Sequence, residues 1–246
     1  MLGILAGSAA GIGVLAAAGY NTMAAQSQLY GRTFVRAAKG SRQIALTYDD
    51  GPNDPWTLCL LEVLARHDVK ATFFMIGQFA AQKPQIARDV ASAGHVIGNH
   101  TYSHPNLALC SKKELERQIT ECHRALTDAV GEHSNLFRPP FGGRRPQVLR
   151  SVRNAGLVPI MWSITGWDWN AKSASRIEQK VAPAVRGGDV ILLHDGGHLQ
   201  MGSDRSFTVK ATDHLISKFK AQGYSFATIP EMMSAPEPVV VAGSRG

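Results

Sequence analysis

Charge of either sign is missing from the first 31 residues, and no acid precedes Asp49, although Arg32, Arg36, Lys39 and Arg42 come before it. Leu2 to Gly19 is almost purely Ala, Gly, Leu, Ile and Val, close to the ~20 residues that a spanning helix needs. A secretory signal would open on a basic stretch, which is lacking, whereas Met23-Ala24-Ala25 offers a small-residue cleavage site. We therefore expect residues 1–25 to be an N-terminal membrane anchor or signal outside the fold, with the folded domain exported or membrane-anchored outside the cytoplasm. The basic flank argues the other way, because positive residues favour the cytoplasmic side. Cysteine is also scarce. Cys59, Cys110 and Cys122 are too few and too widely spaced for a disulfide framework or a zinc ribbon. Cys59 and Cys122 fall on the apolar faces of expected helices, as buried free thiols do. The basic residues are dispersed and lack aromatic interleaving, so the net charge of +7 does not point to nucleic acid. It suits work near an anionic surface such as phospholipid or wall polymer.

What is there is a regular alternation. Short apolar runs at 44–48, 71–76, 95–98, 135–138, 157–163, 189–194 and 225–229 read as strands. Helical periods lie between them near 56–67, 84–93, 111–130, 146–155, 175–186 and 208–222. The helix from Ser111 is the clearest: Ser111 and Glu114 suit a capping box, and Leu115, Ile119, Cys122 and Leu126 follow at helical spacing. Strands alternating with helices argue an α/β domain with a parallel sheet, open or closed into a barrel. We expect one domain over 41–230, without linker or repeat, and a loose tail over 231–246.

Polar clusters gather at the expected strand ends. Thr47-Tyr48-Asp49-Asp50-Gly51-Pro52 ends the first strand. Neighbouring side chains there point different ways, so one carboxylate could sit on a metal while the other handles protons; an Asp-rich turn is the plainer alternative. His100 and His104 follow the third strand, and their spacing puts both imidazoles within reach of one ion. Two His and one carboxylate form a recurrent set for Zn²⁺ or another divalent ion with open positions. Arg138-Pro139-Pro140-Phe141-Gly142 ends the next strand, and its rigid turn aims a guanidinium suited to holding a carboxylate by two parallel hydrogen bonds. Trp162, Trp167 and Trp169 surround Asp168 after the fifth strand, in a pattern that suits either core or a sugar-stacking cleft. His194 ends the sixth. Asp49, Asp50, His100, His104, Arg138, Asp168 and His194 would thus all lie on the C-terminal face of a parallel sheet, where catalytic groups collect.

These segments, in this order, resemble the five motifs of the polysaccharide deacetylases, the NodB-homology enzymes of carbohydrate esterase family four. The resemblance spans roughly residues 41–230. It implies a distorted (β/α)7 barrel with parallel strands and the metal-dependent removal of acetyl groups from N-acetylated glycans. It implies Asp50, His100 and His104 as ligands of one divalent ion, Zn²⁺ or alternatively Co²⁺. Asp49 would be the base, His194 the acid, Arg138 the residue that orients Asp49, and Asp168 the residue that tunes His194. The backbone N–H of Phe141 would help hold an oxyanion, with Trp169 and Leu192 lining the acetyl pocket. Two positions depart from the family pattern: Phe141 stands where Tyr is frequent, and Thr165 where an acid is frequent. The expected partner is an acetylated glycan such as a chitin oligomer or peptidoglycan. We expect no nucleic acid, membrane contact only through the N-terminal segment, and a monomer.

Other classes share part of this residue set. Two His and a carboxylate also serve non-haem iron oxygenases, which have no use for an adjacent Asp–Arg pair. A non-catalytic glycan-binding homologue, an O-acetyl esterase acting on xylan and a metal-independent amidohydrolase are the remaining alternatives.

Overall fold

In the computed structural model, residues 18–38 and 40–235 are described. The strands are β1 (Gln43–Gly51), β2 (Thr72–Met75), β3 (Val96–Asn99), β4 (Leu136–Phe137), β5 (Val158–Pro159), β6 (Ile164–Thr165), β7 (Asp189–His194) and β8 (Ser225–Phe226). Residues 18–23 are helical, and the α-helices that follow are α1 (Trp56–Arg66), α2 (Gly77–Gln82), α3 (Pro84–Ser92), α4 (Lys112–Val130), α5 (Pro146–Asn154), α6 (Ala174–Val181), α7 (Ser206–Ala221) and α8 (Ile229–Ser234). All strand pairs are parallel, in the order β5-β4-β3-β2-β1-β7-β6, with β8 beside the start of β1. The expected 157–163 strand contains only the short β5, and β6, just beyond it, lies at the opposite end of this order. Residues 160–163 cross between those ends and curl the sheet into the distorted (β/α)7 barrel.

Period-two alternation decides what faces the barrel interior. On β1, Ile44, Leu46 and Tyr48 join the large cluster under the helices, while Ala45 packs inside with Phe74, Leu136, Ile160 and Val190. Thr47 and Asp49 continue the Ala45 column toward the mouth. Their partners on β7 are Leu192 and His194, continuing the Val190 column. Aliphatic residues therefore floor the barrel and polar ones rim it. The helix α8 closes the other end, with Ile229 and Met232 in the inner cluster and the Ile229 N–H donating to Thr72 Oγ1 at 3.1 Å.

Several expectations are amended. The short helices α2 and α8 were not anticipated, and α8 occupies the start of the expected loose tail. Ser111 does cap α4 by accepting from the Glu114 N–H at 3.2 Å, but Glu114 turns to Arg117 and Gln118 instead of completing the box. Cys122 is buried, whereas Cys59 is only half-buried. Residues ahead of 41 also belong to the packed structure. Phe34 bridges Ile160, Arg36 bridges Asp189, and Phe34 and Ala37 pack on the inner cluster. Most of the expected anchor, residues 1–17, and the tail beyond residue 235 lie outside the described residues. Among the described residues no helix is long and apolar enough to cross a membrane.

At Gly77 an added Cβ would lie 2.7 Å from the Cys122 Cα, so α2 and α4 touch backbone to backbone. Gly77→Ala should cost about 1–3 kcal/mol through forced separation of the two helices, read as a lowered urea midpoint with an unaltered m-value. A midpoint equal to that of the unsubstituted chain would show that the helices can part freely.

Candidate active site

The first two acids lie on an irregularity. The β1–β2 register shifts between Asp49 and Gly51, and Asp50 takes the left-handed conformation with φ 73°. A bulge of this kind re-aims a side chain. The simple expectation that neighbouring residues point apart is therefore only half met. Asp49 Oδ2 and Asp50 Oδ1 lie 3.6 and 3.5 Å from the same atom, His100 Nε2. Their other partners differ as expected. Asp50 Oδ1 is 3.2 Å from His104 Nε2, while Asp49 Oδ1 accepts from Arg138 Nη1 at 2.7 Å.

The two histidines are held by an irregular loop, not a helix. Asn99 Oδ1 accepts from the Thr101 N–H, and Thr101 Oγ1 accepts from the His104 N–H. Gln118, reaching across from α4, accepts from the N–H groups of Tyr102 and Ser103 at 2.9 Å each. His100 Nδ1–H donates to the Arg138 carbonyl at 2.8 Å, which fixes its tautomer and turns the Nε2 lone pair into the site.

Asp50, His100 and His104 each present one donor atom, and all three atoms lie within 4.8 Å of one another. Separations of 3.2 and 3.5 Å suit the edges of a coordination polyhedron with metal–ligand distances of about 2.0–2.2 Å. Asp50 Oδ1 is buried and has no hydrogen-bond partner. Such an atom is costly unless something binds it, and a divalent cation is what two imidazoles and a carboxylate fit. Burial, then the charge of neighbouring His100, push the His104 imidazole down to about 3, so it is neutral at pH 7 and able to ligate. Burial alone would raise the Asp50 carboxyl, but the close approach of His100 Nε2 at 3.5 Å and the charge of His194 outweigh it and hold the group ionised.

Arg138 is fully buried. Its Nη1 donates to Thr47 Oγ1 and Asp49 Oδ1, its Nη2 to the Met161 carbonyl, and its guanidinium lies over the Phe74 ring at 4.1 Å. The expected two-pronged grip on Asp49 is not formed. The bonds to Thr47 and Asp49 both leave from Nη1, and Asp49 Oδ2 is left to face His100.

On the opposite wall, Asp168 Oδ1 accepts from His194 Nδ1–H at 2.8 Å, and Oδ2 accepts from the His194 N–H and from Thr208 Oγ1. Burial opposes charge on His194, but Asp168, with smaller contributions from Asp50 and Asp49, prevails and pushes its pKa up to about 9. His194 is therefore an imidazolium at neutral pH. Trp169 meets it edge to face at 5.1 Å between ring centroids.

Asp49, Asp50, His100, His104, Phe141, Trp169, Leu192 and His194 line one cleft of about 580 Å³, with Trp162, Thr165 and Trp167. Arg138 and Asp168 stand behind it. Thr165 accepts the Trp167 N–H through Oγ1 at 3.4 Å. Four participants were not anticipated. His198 stacks on His104 at 4.6 Å and its Nδ1 lies 4.0 Å from Asp50 Oδ2; the run His194-Asp195-Gly196-Gly197-His198 was the available signal. Gln118 and Thr208 look like ordinary helix positions in sequence. Asp195 is buried, accepts from Thr57 Oγ1 at 2.5 Å and sits where a Cβ on Gly51 would go.

The family model for polysaccharide deacetylase matches residues 36–160, so Asp168 and His194 lie beyond the matched span. The chain is 39% identical over 208 residues to a chitooligosaccharide deacetylase of Sinorhizobium fredii, covering 82% of this chain and 97% of that one. Among solved structures, it resembles the Bc1960 peptidoglycan N-acetylglucosamine deacetylase with a TM-score of 0.76 and 35% identity, over 83% of this chain and 94% of that one. A pseudoenzyme of carbohydrate esterase family four from Bacillus anthracis, BA3943, superposes with the same TM-score at 28% identity, over 82% and 69% of the two chains. With these matches and five motif clusters around a single cleft, the chain belongs to the polysaccharide deacetylase family.

Proposed function

We propose that this chain hydrolyses the N-acetyl group of N-acetylglucosamine units in a glycan, a chitin oligomer or peptidoglycan. The observation that carries the reading is the placement of a carboxylate base and an imidazolium acid, Asp49 and His194, on adjacent strands in register beside the Asp50–His100–His104 triad. Relatives named for both substrates support the same chemistry.

In this reading Asp50, His100 and His104 hold one divalent ion, with Zn²⁺ favoured by the mixed nitrogen and oxygen donors. Bound there, a divalent ion supplies Lewis acidity that polarises the acetyl carbonyl and brings the pKa of water to about 7. Asp49 Oδ2, left open by the single Arg138 contact, accepts the proton of the attacking water. The backbone N–H of Phe141 helps to hold the oxyanion. His194 then gives its proton to the departing amine, whose expulsion requires one. An ester has a better leaving group and needs that acid less, so the charged His194 favours amide over O-acetyl substrates. Trp169 and Leu192 enclose the acetyl methyl. The same proposal places the chain outside the cytoplasm, where such glycans lie, and working as a monomer.

The pseudoenzyme neighbour gives weight to a second reading, glycan binding without turnover. Against it stands the full set of base, acid, orienting Arg and ligand triad in this cleft.

Acetate release from N-acetylglucosamine oligomers and peptidoglycan should be seen, and should stop with chelator and return with Zn²⁺. No release from either would favour the binding reading. His194→Ala should keep one ion per chain and lose about 10²–10⁴-fold in kcat, the range of general acid catalysis. Asp50→Ala should instead purify without the ion, which elemental analysis would read directly. An inactive His194→Ala that has also lost the ion would remove the acid assignment.

A pH profile tests the Asp168–His194 pair. Turnover needs the charged imidazolium, so activity is lost as pH rises through the His194 pKa. Asp168 raises that pKa, so Asp168→Asn should move the basic limb of kcat/KM toward about 6.5, the ordinary histidine value. A basic limb that stays in place in Asp168→Asn would assign the limb to another group.

A further inference from the structure

Arg144 is a buried cation with no acid. It is 1% exposed, and among the described residues its guanidinium hydrogen-bonds only to carbonyls. Nη1 donates to Gly142, and Nη2 to Ala24, Ala25 and Ser27, at 3.1, 2.5, 3.3 and 2.8 Å. Its own N–H donates to the Thr22 carbonyl at 3.1 Å. Taking a guanidinium out of water without a carboxylate is costly, so this set of carbonyls is a specific fastening of one segment to another. The fastened segment is Thr22–Ser27.

That segment does not end at Arg144. Gln26 Nε2 donates to the Ser163 carbonyl at 3.1 Å, just before β6 and the Trp167 turn. The strap therefore spans from the Phe141 loop to the opposite loop of the cleft. The loop it grips has no slack: a Cβ at Gly142 would sit 2.9 Å from the Trp162 ring, and one at Gly143 2.7 Å from Asn106 Oδ1. Met23 and Ala25 line the same cleft as Asp49, His194 and Trp167. Met23 is 45% exposed there and Trp167 55%. Trp167 is also held in the left-handed conformation, φ 53°, a strain that bulky residues bear rarely and mainly at functional positions. Apolar side chains rimming a polar centre are what the C–H face of a pyranose ring stacks on.

We propose that Thr22–Ser27 is a specificity element of the active site: a strap, positioned by Arg144, whose Met23 and Ala25 contact the sugar flanking the one that is deacetylated. The chain's preference among glycans is then set partly by residues that precede every catalytic motif. The inference rests on the glycan-deacetylase reading for its substrate, but the strap can be tested separately from turnover.

The test uses the full chain and a penta-N-acetyl chito-oligosaccharide. Ala25→Trp narrows the cleft and Met23→Ala removes a contact, and both keep every backbone carbonyl that Arg144 holds. Each should raise KM by about tenfold, the scale of a changed apolar contact in a substrate pocket, while kcat stays within about threefold. Hydrogen exchange of the amides in 22–27 should slow when the oligosaccharide is added. In Arg144→Ala the same amides should exchange at least about tenfold faster in the free protein; if that variant does not fold, the other two decide. A KM within twofold of the parent in both Met23→Ala and Ala25→Trp, with no oligosaccharide protection of 22–27, would overturn the strap while acetate release still upheld the deacetylase reading. Protection of 22–27 in a chain that releases no acetate would uphold the strap and remove the activity. Absence of both would remove both.

Discussion

Everything at this active site depends on a one-residue irregularity in a parallel ladder. Were β1 to continue its alternation, Asp49 would rim the barrel and Asp50 would be driven into the helix-side cluster beside Tyr48. The shifted register and the left-handed Asp50 bring both carboxylates to His100 instead. A non-glycine residue in that region costs on the order of 1–2 kcal/mol, so the surroundings must enforce it. They do so by close approach. A Cβ on Gly51 would overlap the Asp195 carboxylate, and one on Gly196 would lie 2.1 Å from the Asp50 carbonyl. Two glycines and a buried acid thus keep the bulge in place, and Thr57 and Asn53 keep the acid-bearing turn in place by hydrogen bonds.

The buried guanidinium of Arg138 is the second dependency. A fork-shaped grip would have used both Asp49 oxygens and left neither for chemistry. The observed arrangement sends Nη1 to Thr47 and Asp49 and Nη2 to the Met161 carbonyl and supports the cation on the Phe74 ring. One carboxylate oxygen is fixed and the other faces the site. The same principle operates at Asp168, where one oxygen takes the imidazole and the other takes the His194 N–H and Thr208. Orientation comes from several single hydrogen bonds, each from a different element.

Sequence carried the outline of this site because each cluster lies where an apolar run stops, and in parallel sheets those stops share one face. Asp49, Asp50, His100, His104, Phe141, Trp169, Leu192 and His194 are all brought to that face, with Arg138 and Asp168 behind it. Lost from view were properties that depend on the third dimension. Gln118 sits on the buried stripe of α4 and reads as a helix residue, yet it holds the loop of the two histidines. The run 157–163 is mostly apolar and reads as one strand, because periodicity cannot tell that Val158 and Pro159 pair with β4 while Ser163 bonds to Val190 on β7. Residues 22–38 carried only composition: the expected anchor or signal ran through residue 25, and what followed read as a basic flank. Their hydrogen bonds run to Arg144, Ser163 and Asp189, each more than a hundred positions away, and no local pattern encodes such partners.

Asp49 and His194 pose a last problem of balance. They occupy facing positions of neighbouring parallel strands, about 4.8 Å apart at the backbone, with opposite charge. Left to themselves, a carboxylate and an imidazolium at that spacing would pair, quench each other and fill the cleft. Each is instead committed on its far side before it can reach across. Asp49 is drawn toward Arg138 and His194 toward Asp168, so the pair of ion pairs lies along the walls and the two side chains are held apart. The arrangement also fixes the proton state of His194: an anion behind the imidazole favours the cation. The buried Arg138 and Asp168, neither of which lines the cleft, are what keep it open and polarised.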